Sequence, residues 1–110
     1  MDKRTFEEKI DKIISDFVQI KFEFPHTDFI VDIEFKIRDV SEHTKECNFG
    51  KVLNDIYTLA RYADIFEDIN TIHVMPISPK EARRYQSILK KTIDDLLPVI
   101  EEYLNQNCRK

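Results

Sequence analysis

The residues with the clearest chemical potential lie in the stretch FIVDIEFKIRD, from Phe29 to Asp39. Asp32, Glu34 and Lys36 form the spacing D-x-E-x-K within it. Two carboxylates at such a spacing could hold a divalent cation through their oxygens, with the lysine as a catalytic cation beside them. The question is whether these three residues form a site or only the solvated face of an ordinary element.

The alternation of apolar and charged residues in this stretch favours the second alternative, the solvated face of an ordinary strand. Apolar residues occupy every second position, and charged residues occupy the positions between them, which predicts a half-buried β-strand. The Glu34-x-Lys36 spacing superficially resembles the E-x-K of a restriction-type nuclease core. That core also needs an upstream acidic residue at a strand end, whereas Asp16 falls in a predicted helix and Asp28 in a predicted turn. We therefore predict no catalytic residues here.

The histidines and cysteines do not form a metal-binding pattern. His43 and Cys47 are four residues apart and could share one helical face, but a zinc site needs four ligands, or three and a water. His26, His73 and Cys108 are not paired in spacing with any other candidate ligand. The sequence thus predicts no metal, no cofactor and no enzyme.

The element pattern predicts one α+β domain over residues 1–110, in the order α-β-β-α-β-α. A small antiparallel sheet, made of a β-hairpin and a short third strand, would carry helices on one face. A proline, Pro98, should kink or break the last helix. The predicted segments are a helix over 5–17, strands over 18–24 and from Phe29, a loop over 41–51, a helix over 50–66, a strand over 72–77, and a helix from Ser78-Pro79.

Composition limits the class of protein. The chain has 110 residues, is 42% apolar and carries a net charge of −4, which suits one packed core and disfavours a polyanion ligand. Its first residues lack the apolar core of a secretion signal, and no run is long enough to cross a bilayer. Two cysteines without a secretion signal predict free thiols and a cytoplasmic protein with no membrane partner.

Uneven charge suggests where a partner would bind. Residues 1–78 carry a net charge of −6 and residues 79–110 a net charge of +2. The function hypothesis is a non-catalytic protein-binding module, of the kind found among stoichiometric inhibitors, immunity proteins and viral or mobile-element counter-defence factors. The alternative is a nucleic-acid-binding or regulatory module that uses the basic residues of the last helix. A metal-dependent nuclease built on Asp32, Glu34 and Lys36 and a purely structural subunit of a homo-oligomer, such as a homodimer, are further alternatives. The predicted partner-binding residues are Glu23, Asp28, Asp32, Glu34, Asp39, Glu42, Glu46, Arg83, Arg84, Lys90 and Lys91.

Overall fold

The computed structural model describes residues 1–20, 28–65 and 78–108. These residues form four α-helices and no strand, so the predicted α+β fold with an antiparallel sheet is wrong. The first predicted strand runs from a helical end at Val18 into residues outside the described ranges, and the strand over 72–77 lies wholly outside them. The helices are α1 (Lys3–Val18), α2 (Asp28–Lys45), α3 (Phe49–Ile65) and α4 (Pro79–Asn107).

Helix α1 begins two residues before the predicted start. Asp2 is its N-cap, and the carboxylate accepts the Thr5 backbone N–H at 2.7 Å. This hydrogen bond holds the pKa of Asp2 below its ordinary value. Phe6, Ile10, Ile14 and Phe17 follow at helical spacing and are buried, as the sequence pattern predicted.

Helix α2 replaces the predicted second strand. Its buried residues are Ile30, Ile33, Ile37 and Val40, each at most 2% exposed, and their spacing of three and four residues is helical. The strand interpretation would have placed Ile30 and Val40 with the charged residues, outside the core. The helix buries all four, and in exchange it leaves Val31 and Phe35 at the surface, 39% and 61% exposed.

The predicted loop over 41–51 is mostly helical. It shrinks to a turn between α2 and α3 in which Cys47 has a left-handed backbone, with φ 55°. The Asn48 N–H donates to the carbonyl of His43 at 3.0 Å, which closes the end of α2. The Asn48 side chain accepts the Lys51 N–H at 3.2 Å, which caps the start of α3.

Helix α4 starts as predicted. Ser78 is the N-cap and accepts the Glu81 N–H at 3.1 Å, with Pro79 in the first position. The helix continues through Pro98 to Asn107 without a break. Its 29 residues span about 44 Å at 1.5 Å per residue, close to the 48 Å longest dimension of the molecule.

The four helices pack as an up-down-up-down bundle with each helix antiparallel to its neighbours. Phe6 of α1 stacks on Tyr103 of α4 with ring centroids 4.5 Å apart, and Lys45 of α2 reaches back to Glu7 of α1 at 2.9 Å. Gln86 of α4 donates to the carbonyl of Ala63 on α3 at 3.1 Å. Helices α2 and α4 therefore lie at diagonal corners of the bundle.

Cys47 and Cys108 form a disulfide, with Cα atoms 5.5 Å apart, so the prediction of free thiols is wrong. It joins the turn between α2 and α3 to the end of α4, a proximity that only the fold creates. Across the described ranges, no helix is long and apolar enough to span a membrane.

Candidate functional site

The outward side of α2 carries three of the predicted acidic residues around an exposed aromatic ring. Asp32, Phe35, Asp39 and Glu42 are spaced by three and four residues, which places them on one side of the helix. All four are exposed, and Phe35 keeps 61% of its surface in solvent. We call these four residues the α2 acidic face.

Among the described residues, the ion pairs of these carboxylates are all formed within α2. Asp39 lies 3.4 Å from the ammonium of Lys36, and Glu42 lies 2.7 Å from that of Lys45, both at i, i+3 spacing. Asp32 makes no ion pair with any residue that the structure describes. The two lysines are half-buried, but the carboxylate side chains of Asp39 and Glu42 are 53% and 64% exposed. Ion pairs at such positions stabilise a fold little, so the carboxylates can turn to a partner.

Of the other predicted acidic residues, Glu34 and Glu46 do not join this face. Glu34 is half-buried on another side of α2 and lies 3.4 Å from Arg38, and Glu46 lies in the turn after the helix. Asp28 is the first residue of α2, but its side chain lies outside the description. Glu23 lies outside the described residues altogether.

The predicted basic residues all lie exposed on the first half of α4. Arg83 and Lys90 are seven residues apart on one line of the helix, and Arg84 and Lys91 follow a second line about 100° away. Lys91 is 3.1 Å from Asp95, at i, i+4 spacing on the same helix. The basic residues and the α2 acidic face thus occupy diagonal helices and point to different sides of the bundle.

A buried carboxylate lies on the inward side of α2. Asp55 of α3 is 3% exposed, and its Oδ2 is 2.5 Å from His43 Nδ1. Its Oδ1 is 3.5 Å from the ammonium of Lys36. Both carboxylate oxygens therefore have partners on the neighbouring helix, as a buried charge requires. We interpret this cluster as a structural connection between α2 and α3.

The helical placement and these contacts also bear on the D-x-E-x-K spacing and on the candidate metal ligands of the sequence. Asp32 and Glu34 are two residues apart on a helix, so their side chains point about 200° apart and cannot converge on one cation. Lys36 is held by Asp39 and Asp55. Cys47 is in the disulfide and His43 contacts Asp55, and no group of three metal ligands occurs in the described part of the chain.

Sequence reasoning missed two residues that matter here. The alternating pattern places Phe35 on the core side of a strand. Only a pattern that includes Ile30 and Val40 is helical and predicts an exposed Phe35. Asp55 was overlooked, although it lies three residues after Val52 and four before Leu59 on the apolar side of a predicted helix. A carboxylate at such a position signals a buried, paired charge.

Comparisons with protein-family models, with characterised proteins and with solved structures give no significant match.

Proposed function

We propose that this protein is a non-catalytic protein-binding module whose α2 acidic face docks on a basic surface of another protein. The observation that carries the proposal is Phe35, which is 61% exposed among three carboxylates on one helical face. Single exposed apolar residues are common and need no explanation. An aromatic ring with a charged surround, however, matches the anchor and polar rim of protein interfaces.

The division of contacts supports this proposal. Asp39 and Glu42 pair with lysines of their own helix, and each of these lysines has a second carboxylate partner on a neighbouring helix. Loss of the pairs within α2 to a binding partner would therefore leave the contacts between the helices in place. A basic partner would be drawn to Asp32, Asp39 and Glu42 by complementary charge, and Phe35 would fill an apolar pocket between its cations. A stoichiometric inhibitor or an immunity or counter-defence factor would act in this way.

The test is a pull-down from nuclease-treated lysate of the native host. It compares the proteins retained by the tagged chain with those retained by matched variants. We expect one protein to be retained in stoichiometric amount by the wild type and lost with Phe35→Ser or with the combined change Asp32→Lys, Asp39→Lys and Glu42→Lys. Tyr57→Ser is the control, because Tyr57 is a similarly exposed aromatic, 64%, on α3. Retention that survives both changes on α2 contradicts the proposal.

Nucleic acid remains the alternative partner, through the exposed cations Arg83, Arg84, Lys90 and Lys91. Binding of this kind would weaken steeply as salt rises, because phosphate contacts release counterions. A mobility-shift series from low to physiological salt, with Arg83→Glu as the variant, tests this alternative. No shift at low salt for duplex or single-stranded probes removes it.

The compartment is also part of the proposal. The sequence led us to expect cytoplasm, whereas a disulfide such as Cys47–Cys108 is more typical of an oxidising compartment. Alkylation of free thiols in intact cells, followed by mass spectrometry, distinguishes the two. Labelled Cys47 and Cys108 would favour the cytoplasm, and unlabelled residues would favour an oxidising compartment.

A further inference from the structure

A second surface, separate from the α2 acidic face, is an apolar groove between α3 and α4. Its walls are Phe49, Leu53 and Ile56 on α3 and Leu97, Ile100 and Leu104 on α4, and it encloses about 400 Å³. Several of these side chains are open to solvent, with Leu53 71%, Phe49 45% and Leu97 38% exposed. A contiguous apolar patch rimmed by polar residues is the usual mark of an interaction site.

The length of the groove matches a short stretch of helix. From Phe49 to Ile56 is seven residues, or about 10 Å along α3, and from Leu97 to Asn105 is about 12 Å along α4. A helix lying in the groove would place apolar side chains at i, i+3 and i+7 over the same distance. Recognition of an amphipathic helix through such anchors is a recurring mode of peptide binding.

The negative charge of the groove lining favours a partner with a cation at the matching position. Among the described residues that line the groove, Glu101 is the only charged one; it is exposed and makes no ion pair with any other described residue. Its neighbour Glu102, by contrast, lies 3.9 Å from Lys9 of α1. A cation beside the apolar anchors of an incoming helix would therefore meet a carboxylate that has no ion-pair partner among the described residues.

The same charge disfavours a second copy of this chain as the occupant. In a two-fold dimer the groove would pack on the groove of the other copy, because such an interface uses the same patch twice. Two Glu101 carboxylates would then enter one apolar interface, and the described residues of the lining include no cation to pair with them. Like charges in an interface disfavour the complex.

We propose that the α3/α4 groove binds an amphipathic helix of a partner protein, with three apolar anchors at i, i+3 and i+7 and a Lys or Arg beside them that contacts Glu101. The Cys47–Cys108 disulfide lies at one end of this groove, two residues before Phe49 and four after Leu104. It joins the ends of the two walls, so the groove is held in place before a partner arrives.

The test uses synthetic helical peptides and the full chain. One panel carries Leu, Phe or Met at the three anchors with flanking Lys, and a matched panel carries Glu in place of Lys. We expect the best Lys peptide to bind at least about 10-fold more tightly than its Glu counterpart in fluorescence anisotropy, and Leu53→Ser to weaken it by about 10-fold or more. Glu101→Lys should reverse the preference.

Phe35→Ser is the control, because it alters the α2 acidic face and should leave peptide affinity unchanged. This control also separates the groove from the function proposed above, since either surface can fail without the other. Equal binding of the two panels, no saturable binding, or binding indifferent to Leu53→Ser would overturn the proposal. A dimer in sedimentation equilibrium that Leu53→Ser dissolves would assign the groove to a second copy and also overturn it.

Discussion

The inward and outward sides of α2 carry the same kinds of charged residue with different consequences. On the inward side, Lys36 and His43 contact Asp55 on another helix, and Asp55 is 3% exposed. On the outward side, the ion pairs that Asp39 and Glu42 form with described residues are with lysines of α2 itself. Asp55 thus connects two helices directly, whereas the outward carboxylates pair within one helix, with lysines that have a second carboxylate partner on a neighbouring helix. A surface of the second kind can serve a partner.

The largest expected difference in unfolding free energy is between substitutions at Ile37 and Phe35, which lie two positions apart on α2. Ile37 is 0% exposed and Phe35 is 61% exposed. We expect Ile37→Ala to lower the free energy of unfolding by about 2–5 kcal/mol, because it leaves a cavity in the core. Phe35→Ala should change it by no more than about 0.5 kcal/mol.

Urea unfolding followed by circular dichroism measures both changes. In the strand interpretation, Phe35 and Ile37 shared one buried side and both substitutions would be severe. Equal destabilisation would therefore contradict the helical placement of α2.

A second, smaller effect concerns the buried charge. Asp55→Asn should cost about 1.5–3 kcal/mol, because it removes the charge that Lys36 and His43 contact. Asp64→Asn is the matched control, since Asp64 is exposed on the same helix and should be nearly neutral. A double-mutant cycle with Lys36→Met would isolate the interaction between the helices. A coupling energy of zero would mean that the ion pair between Asp55 and Lys36 does not stabilise the packing of α2 on α3.

The smallest effect belongs to Lys45, which contacts both Glu42 of α2 and Glu7 of α1. Hydrogen bonds with Glu42 and then Glu7 raise the pKa of Lys45 above its ordinary value of 10.5. The resulting stability is present in full below the ordinary lysine pKa and is lost as pH rises through the raised pKa. Lys45→Met should cost about 1 kcal/mol or less near neutrality.

Thermal unfolding measured across the alkaline range tests this linkage. The difference between wild type and Lys45→Met should shrink as pH rises through the raised pKa. A difference that stays constant with pH would mean that Lys45 stabilises the fold by packing alone.

Three helices were predictable from the sequence and one was not, for a physical reason. Helices α1, α3 and α4 show one periodicity along their whole length, and Ser78-Pro79 marks the start of α4 unambiguously. The region 29–37 satisfies two periods at once, because Ile33 and Ile37 belong to both the alternating and the helical pattern. Only Ile30, Val40 and the buried Thr44 decide for a helix. Ile30 is the second residue of the alternating run, and Val40 and Thr44 lie beyond its end.

The candidate surfaces were predictable only in part. The sequence identified the acidic and basic residues by charge, but their grouping depends on α2 being a helix. The groove, the Asp55 cluster and the disulfide each combine residues from distant parts of the chain. Cys47 and Cys108, for example, are separated by 61 positions. Such contacts arise from the packing of the bundle, which no local pattern encodes.

The disulfide also changes what the chain is as a covalent object. It makes the part from Cys47 to Cys108 a closed ring that contains α3 and α4, with α1 and α2 as a tail. A single proteolytic cut inside the ring would open it without releasing a fragment until a reductant is added. When the two termini are pulled apart, the 61 positions between the bonded cysteines cannot extend. The fully stretched oxidised chain is therefore shorter than the reduced chain by about 200 Å.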